Sequence, residues 1–392
     1  MSSTREVYVS RLQAEHLYKV FGRRPEAAVQ RLESGTDRDE LRADGTTAAV
    51  IDASFEVEAG QIFVVMGLSG SGKSTLLRML NGLLEPTAGR VLFDGQDLTA
   101  LAPRDLRAVR SRKISMVFQH FALFPHRSVL ENAAYGLEVQ GVPRAERQER
   151  AAEALELAGL KGWETSWPDQ LSGGMQQRVG LARALATDAD LLLMDESFSA
   201  LDPLIRRDMQ DQLLDLQTRL KKTIVFITHD LNEAMRLGDR IAVMRDGRIV
   251  QNGTAEDILV RPANDYVASF IQDVDRSRVL TAGSIMNTGA VAPDGAVTVP
   301  AGTPVAELFA PLARSTDPVT VTDEQGEPAG VVTRDLLLAA LGEEPEVVPA
   351  PRAPETAETG KSPEAGKTAE AGEPAEAATP ARADEAEVSA RA

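Results

Sequence analysis

A glycine-rich run places one lysine and several hydroxyl side chains between an apolar segment and a helix-like segment. The run is GLSGSGKST, residues 67–75, and it fits the pattern G-x-x-x-x-G-K-[ST] of loops that cradle nucleotide phosphates. Glycines are needed because backbone N–H groups must approach phosphate oxygens without Cβ atoms in the way. We expect Lys73 to bind the β- and γ-phosphates and the Ser74 hydroxyl to ligate Mg²⁺. The other predicted nucleotide-binding members are Gly67, Ser69, Gly70, Gly72 and Thr75.

The segments on either side of this phosphate loop predict how it is held. Ile62–Met66 is a continuous apolar run, typical of a buried parallel strand. Residues 74–80 have the composition of a helix, and the N-terminus of a helix favours an anion. The alternative is a Gly/Ser-rich surface turn, which would not require a strand before the motif and a helix after it.

A second apolar run ends in two adjacent carboxylates. Residues 191–194 are Leu-Leu-Leu-Met, and Asp195 and Glu196 follow. Carboxylates at the end of a buried strand are costly to desolvate unless a cation or water meets them. We expect Asp195 to bind Mg²⁺ and Glu196 to act as the general base that polarises an attacking water. A pair of acidic caps for the next helix is the alternative, and the upstream phosphate loop disfavours it.

A short turn before the acidic strand narrows the interpretation. Residues 171–175 are Leu-Ser-Gly-Gly-Met, and they resemble the signature of the nucleotide-binding subunits of ATP-binding-cassette (ABC) importers. The resemblance covers residues 1 to about 275. It implies an α/β P-loop NTPase fold, with a RecA-like core and a helical subdomain. It also implies a homodimer, in which Ser172, Gly173 and Gly174 bind the γ-phosphate of ATP held by the other copy.

Four further positions match this family's motifs in order. The resemblance implies that Gln119 senses Mg²⁺ and touches the membrane partner, and that Asp202, in the turn Ser199–Asp202, links the two nucleotide sites. It implies that His229 contacts the γ-phosphate and that Phe21 stacks on adenine. Phe21 could instead belong to the core, with Tyr18 as the other stacking candidate. The predicted catalytic set is therefore Glu196, His229, Lys73 and Gln119, and the predicted metal ligands are Ser74, Gln119 and Asp195.

A narrower resemblance points to a substrate class. An insertion at about residues 23–49 and the segments 118–126, 201–206 and 262–267 resemble the glycine betaine/proline (quaternary amine) importer ATPases. An ATPase for another small solute, such as an amino acid, remains the alternative. A non-transport ABC ATPase is disfavoured because the chain lacks a long coiled-coil insertion and a second cassette. One departure is Ser197, where many relatives carry a small apolar residue or proline; we expect no loss of activity from it.

The segments between the motifs fit an α/β core with a helical insert. Residues 145–155 have helix-forming composition. Pro203 suits the first position of a helix, whose apolar residues then recur at helical spacing as a core-facing stripe. Phe121 and Phe124 lie in a loop beside Gln119. They are either tucked into the fold or exposed to a permease helix.

Composition limits the possible partners and compartment. The 392 residues contain no cysteine, which excludes disulfides and thiolate metal sites and suits the cytoplasm. No apolar run approaches the ~20 residues of a membrane span, so membrane association requires a partner. A net charge of −17 disfavours nucleic acid as a ligand. The resemblance implies an integral membrane permease, an extracytoplasmic substrate-binding protein acting through it, and a place on the cytoplasmic face of the membrane.

The chain after residue 275 has two predicted parts. Residues 276–342 show a β-α-β-β-α pattern that resembles one cystathionine-β-synthase-type (CBS) repeat, a small α+β unit. As only one copy is present, it is either a regulator that pairs across the homodimer or an inert support. Residues 343–392 are acidic and rich in Ala, Glu and Pro, with no aromatic residue, and are predicted to be disordered.

Overall fold

The computed structural model describes residues 10–119, 121–290, 292–293 and 295–342. The predicted disordered tail, residues 343–392, lies outside them. The strands are β1 (Ser10–Phe21), β2 (Thr47–Glu58), β3 (Ile62–Met66), β4 (Ala88–Phe93), β5 (Gln96–Asp97), β6 (Ile114–Val117), β7 (Leu191–Asp195), β8 (Thr223–Thr228), β9 (Arg240–Arg245), β10 (Arg248–Gly253), β11 (Thr298–Pro300), β12 (Val319–Thr322) and β13 (Pro328–Val332).

Helices cover both faces of the sheets and build a separate lobe. They are α1 (Pro25–Glu33), α2 (Arg38–Ala43), α3 (Lys73–Leu80), α4 (Pro103–Lys113), α5 (Val129–Ala133), α6 (Tyr135–Val139), α7 (Arg144–Leu157), α8 (Gly173–Ala186), α9 (Pro203–Leu220), α10 (Leu231–Leu237), α11 (Ala255–Val260), α12 (Asp265–Phe270), α13 (Arg276–Val279), α14 (Ala282–Ile285), α15 (Val305–Arg314) and α16 (Arg334–Gly342).

A six-stranded sheet carries the predicted site. Its order is β10-β9-β3-β8-β7-β6, and all pairs are parallel except β10 with β9. The apolar runs predicted as strands are β3 and β7, and each is buried along its whole length between the two apolar clusters that flank the sheet. Since β3, β6, β7 and β8 are parallel, their carboxyl ends meet at one edge, where ligands bind in open α/β sheets.

A four-stranded antiparallel sheet, in the order β2-β1-β4-β5, packs beside the core. The insertion lies between β1 and β2 and forms α1 and α2, whose Leu32 and Leu41 are buried against Tyr18 and Ile51. Strand β2 begins at Thr47, within the predicted insertion of about residues 23–49, whose exact bounds stay a prediction.

The helical lobe has its own apolar cluster. Helices α5 to α8 enclose Val129, Leu137, Leu155 and Val179, which are all buried. The helix predicted over residues 145–155 is confirmed as α7, which extends to Leu157. The predicted α/β core with a helical subdomain is therefore the observed architecture.

Helix α9 follows the prediction made from its apolar stripe. Asp202 caps its N-terminus by accepting the Ile205 N–H at 3.1 Å, and Pro203 occupies the first turn. Met209 and Leu213 are buried in the largest apolar cluster. This helix thereby joins the turn Ser199–Asp202 rigidly to the core.

The C-terminal segment adopts the predicted β-α-β-β-α order. Its sheet has the order β11-β12-β13, with β11 and β12 parallel and β12 and β13 antiparallel. Val267 and Val274 share one buried cluster with Leu280 and Leu308, so the apolar core continues across the predicted boundary at residue 275. The resemblance to a CBS repeat stays a prediction.

Candidate functional site

The phosphate loop needs glycine for its fit to the protein's own backbone. Gly72 has φ +104°, and a Cβ there would lie 2.2 Å from the Ala49 carbonyl oxygen. A Cβ on Gly67 would lie 2.2 Å from the Met244 carbonyl oxygen. The loop is thus wedged between β2 and β9, which fixes the direction in which its N–H groups point.

Lys73 joins the phosphate loop to the acidic end of β7. It is buried, and its Nζ donates to the carbonyl oxygens of Gly67 at 2.7 Å and Leu68 at 3.2 Å. The same Nζ lies 3.7 Å from Glu196 Oε1. Burial lowers the pKa of Lys73, while Glu196 and Asp195 oppose that change. An anionic ligand beside the buried ammonium would stabilise its charged form, so Lys73 is suited to bind a phosphate.

Ser74 and Asp195 present two oxygens side by side. Ser74 Oγ donates to Asp195 Oδ1 at 2.9 Å. Asp195 is buried, and burial raises its pKa although the Ser74 hydrogen bond opposes that change. Hydroxyl and carboxylate oxygens are ligands that Mg²⁺ takes, so this pair fits the predicted ion. No group of three or more His, Cys, Asp or Glu side chains that could hold a metal ion occurs within the described residues. The assignment of Gln119 as a third ligand stays a prediction.

Glu196 stands where the ends of three strands meet. Its φ of +44° is uncommon for a residue with a Cβ and costs about 1–3 kcal/mol. Its N–H donates to the Ile227 carbonyl oxygen at 3.0 Å, which holds this conformation. Glu196 Oε2 lies 3.0 Å from His229 Nδ1 and 3.5 Å from Gln119 Nε2. The structure therefore brings all four predicted catalytic residues together around the Glu196 carboxylate, with Lys73 Nζ at 3.7 Å and Gln119 Nε2 at 3.5 Å.

The signature turn is separate from this constellation. Ser172 caps α8, and Ser172 and Gly173 are exposed. Gly174 is buried, and a Cβ on it would lie 2.5 Å from Ile205 Cγ2, so this glycine permits α8 to pack on α9. Across the described part of the chain, no hydrogen bond or ion pair joins these three residues to the phosphate loop. One chain thus presents the loop and the turn as two separate surfaces.

Known proteins share both the sequence and this architecture. The family model described as ABC transporter matches residues 50–199. The chain is 62% identical over 277 residues to the glycine betaine transport ATP-binding protein OpuAA of Bacillus subtilis, over 70% of this chain and 66% of that one. It is 44% identical to the glycine betaine/proline betaine transport system ATP-binding protein ProV of Escherichia coli, over 85% of this chain and 98% of that one.

The chain belongs to the ABC transporter ATP-binding proteins. A solved structure supports the same fold: a dimeric ATP-binding cassette in a post-hydrolysis state, bound to ADP and Pi. That cassette is 31% identical to this chain, and the two structures superpose with a TM-score of 0.53. The match covers 62% of this chain and 98% of the cassette. The predicted family, the P-loop NTPase fold and the use of ATP are confirmed, and the chain is an ATPase.

The aromatic candidates for adenine in this ABC ATPase differ in exposure. Tyr18 is 7% exposed and packs against the insertion, so it cannot stack on a ligand. Phe21 is 45% exposed, and Lys19 Nζ lies 5.3 Å from its ring centroid. Only Phe21 of the two is accessible, and its assignment to adenine stays a prediction.

Sequence reasoning missed the side chains on the outer side of the phosphate loop. A cavity of about 620 Å³ lies there, between residues 68–71 and the insertion residues Arg38 and Arg42. Tyr266 also lines it, with Arg245 4.5 Å above its ring and the Leu68 backbone as its hydrogen-bond partner. Tyr266 lies in the segment 262–267, which served only as a family marker. The described chain has no helix long and apolar enough to cross a membrane.

Proposed function

We propose that this chain is the ATP-hydrolysing subunit of an importer for glycine betaine, proline or related quaternary-amine osmolytes. The observation that carries ATP hydrolysis is the convergence of Lys73, Asp195, Glu196 and His229 at one edge of the sheet. The transported solute is supported by the names of the relatives, of which OpuAA is 62% identical. A methionine import protein of Geobacillus kaustophilus, MetN, is 47% identical over 232 residues, which favours betaine over amino-acid import.

The chemistry is an in-line attack of water on the γ-phosphate of ATP: a bond forms between the water oxygen and the γ-phosphorus while the bond to the β,γ-bridging oxygen breaks, and ADP leaves. Glu196 accepts a hydrogen bond from the water and withdraws its proton at a carboxylate oxygen. In the tautomer protonated on Nδ1, His229 donates to Glu196 Oε2 at 3.0 Å and orients the other carboxylate oxygen toward the water.

Lys73 and the oxygen pair handle the phosphate charge. The Lys73 ammonium neutralises charge that develops on the γ-phosphate oxygens. Ser74 and Asp195 would hold Mg²⁺, which would offset the negative charge of the phosphates when bound. The remaining loop residues bind phosphate through backbone N–H groups at the N-terminus of α3.

A second copy of the chain completes the site. The backbone N–H groups of Gly173 and Gly174 lie in the first turn of α8 and have no acceptor within the helix. Together with the exposed Ser172 hydroxyl they can bind the γ-phosphate of ATP on the partner copy. ATP would then hold the dimer closed, and loss of the γ-phosphate would release it.

The loop after Gln119 is the proposed contact with the permease. Phe124 packs on Tyr135 with ring centroids 4.6 Å apart, so this ring is partly tucked into the fold. Arg183 of α8 donates to the carbonyl oxygens of Phe121 at 3.2 Å and Ala122 at 2.6 Å. A movement of this loop would therefore reach α8 and the signature turn. We place the chain on the cytoplasmic face of the membrane, with a substrate-binding protein acting through the permease.

Reconstitution with the cognate permease and binding protein tests the solute. The measurement is ATPase activity and uptake of labelled glycine betaine, proline or methionine into vesicles. We expect glycine betaine to drive uptake and raise ATP turnover several-fold, with a Glu196→Gln variant inactive as control. Uptake of methionine without uptake of glycine betaine or proline would contradict the proposed substrate class.

A further inference from the structure

Arg206 of α9 bridges two segments that flank the hydrolytic site. We call Ser199–Asp202 the linking turn and Thr228–Glu233 the switch segment. Arg206 Nη2 donates to two carbonyl oxygens of the linking turn, that of Ser199 at 3.3 Å and that of Leu201 at 3.1 Å. Its Nη1 donates to Asp230 Oδ2 in the switch segment at 3.1 Å. One guanidinium thus ties both segments together.

The switch-segment side of this bridge is buried and acidic. Glu233 is 3% exposed, and burial raises its pKa, while Arg206 is among the groups that oppose that change. Its Oε2 accepts the Thr228 hydroxyl at 2.6 Å, and its Oε1 lies 3.8 Å from Arg206 Nε. The buried Nε has no hydrogen-bond partner in the described structure. The cation therefore stabilises a carboxylate that burial alone would disfavour.

Each bridged segment carries one group of the proposed water-activating pair. Ser199 donates to the Glu196 carbonyl oxygen twice, from its N–H at 3.1 Å and from Oγ at 2.8 Å. His229 lies within the switch segment, next to Asp230, and meets Glu196 Oε2 at 3.0 Å. Arg206 contacts neither Glu196 nor the His229 ring, yet it fixes the backbone beside both.

We propose that Arg206 is a positioning residue that locks the linking turn and the switch segment into one arrangement and thereby orients the Glu196–His229 pair. This inference rests on the proposed role of that pair in hydrolysis. The linking turn is exposed at Asp202 and stands at the proposed interface with the partner copy. If the partner copy displaces the linking turn, Arg206 transmits that displacement to the switch segment and so to His229.

The contacts require an arginine rather than any cation. A planar guanidinium donates in three directions at once, to two carbonyl oxygens and a carboxylate, whereas a lysine ammonium is a point charge on a flexible stem. Arg206→Lys keeps the charge and loses the fixed fork. Arg207, which is exposed on the same helix, supplies the matched control Arg207→Lys.

The first test compares these two variants by steady-state ATPase kinetics and thermal unfolding of the full chain. We expect Arg206→Lys to lower kcat about 10- to 30-fold, because the lysine cannot make all three hydrogen bonds that hold the positioned state. The KM for ATP should stay within about twofold, because the phosphate loop is untouched. Arg207→Lys should match the wild type. An Arg206→Lys variant with wild-type kcat overturns the proposal, even if its Tm falls.

A second test asks whether Arg206 acts through His229. In a His229→Ala background, Arg206→Lys should lower the residual kcat by a smaller factor than in the wild-type background, because His229, one of the two groups that it positions, is gone. Equal fold losses in both backgrounds would show a merely structural role and overturn the proposal.

Asp230→Asn gives an independent route to the same bridge. Asp230 Oδ1 accepts a hydrogen bond from the Asn232 backbone N–H at 2.9 Å, and the side-chain oxygen of the Asp230→Asn variant can still accept it. The side-chain N–H₂ group of the variant then faces the Arg206 guanidinium in place of Oδ2. We expect a kcat loss similar to that of Arg206→Lys, and no further loss when the two are combined; additive losses would contradict the shared bridge. Failure of the proposed function would give a different result from failure of this inference alone. In the first case the wild type itself would not hydrolyse ATP, and both proposals would be rejected; in the second the wild type would be active and only the Arg206 variants would behave unexpectedly.

Discussion

Glu196→Gln isolates the proton-accepting role, because the amide keeps the size and shape of the carboxylate. The Gln side-chain oxygen can still accept from His229 Nδ1, which lies 3.0 Å from Glu196 Oε2. Lys73 loses a carboxylate 3.7 Å away but keeps its bonds to the carbonyl oxygens of Gly67 at 2.7 Å and Leu68 at 3.2 Å. The binding geometry should therefore survive while the base is lost.

The expected magnitude follows from the value of a positioned base. General-base catalysis contributes about 10²- to 10⁴-fold, so kcat should fall by at least about 100-fold, which corresponds to roughly 3 kcal/mol. The equilibrium Kd for ATP should change by less than about threefold, because the Lys73 ammonium remains in place. Glu149→Gln removes an exposed glutamate of α7 and should leave both quantities unchanged.

The assay is single-turnover phosphate release together with equilibrium binding of labelled ATP. Single-turnover measurement separates chemistry from product release, which steady-state rates combine. A folded Glu196→Gln protein that hydrolyses ATP within about threefold of the wild type would refute the assignment of the base.

Three further predictions concern buried groups of the site. Burial raises the pKa of Asp195, so the folded state favours its protonated form. The contribution of this group to the free energy of unfolding is therefore fully present below the unfolded pKa of about 4 and is lost as pH rises through the folded pKa. Asp195→Asn should therefore have a higher Tm than the wild type at pH 8 and a smaller gain near pH 4, by calorimetry; equal gains would contradict the sign. The Ser197 hydroxyl is buried without a hydrogen-bond partner in the described structure, so Ser197→Ala should raise the free energy of unfolding by about 1 kcal/mol and leave ATPase activity unchanged, which urea titration and phosphate release can check. Gly174→Ala should cost about 1–3 kcal/mol through its clash with Ile205, and Ile205→Ala in the same chain should recover part of that loss; no recovery would exclude the clash as the cause.

The parts of the fold that the sequence predicts well are those that local chemistry decides. The apolar run of β3 has no polar residue to expose, so burial on both faces was the only consistent placement. Helix α9 combines Asp202 as its cap, Pro203 in its first turn and an apolar stripe, and all three agree on where it begins. The phosphate loop and the acidic strand end are likewise fixed by short, ordered motifs.

Other features depend on contacts between distant segments and have no local pattern. The left-handed backbone of Glu196 arises from its bond to Ile227, which lies 31 residues later in the chain (227 − 196). Gly174 was assigned to phosphate binding, and only the structure adds that Ile205 packs against it. The continuity of the core from Val274 to Leu308 was also missed, because the boundary at residue 275 was placed where one family resemblance ends and another begins, and such a boundary carries no information about packing.

The arginine bridge illustrates the same limit. Arg206 follows the linking turn in sequence and looks like one of several charges on a surface helix. Its function depends on Asp230 and Glu233, which the fold brings within 3.1 and 3.8 Å of its nitrogens. No spacing rule connects these residues, so only the tertiary structure reveals the link.

The association of two copies around ATP is the most direct test of the account. Light scattering after size exclusion would measure the mass of Glu196→Gln with and without ATP, because blocked turnover preserves any closed state. We predict one chain per particle without nucleotide, two with saturating ATP, and one again when Ser172→Arg is added to the signature turn. A Glu196→Gln protein that binds ATP yet stays a single chain at high concentration would contradict a site shared between two copies.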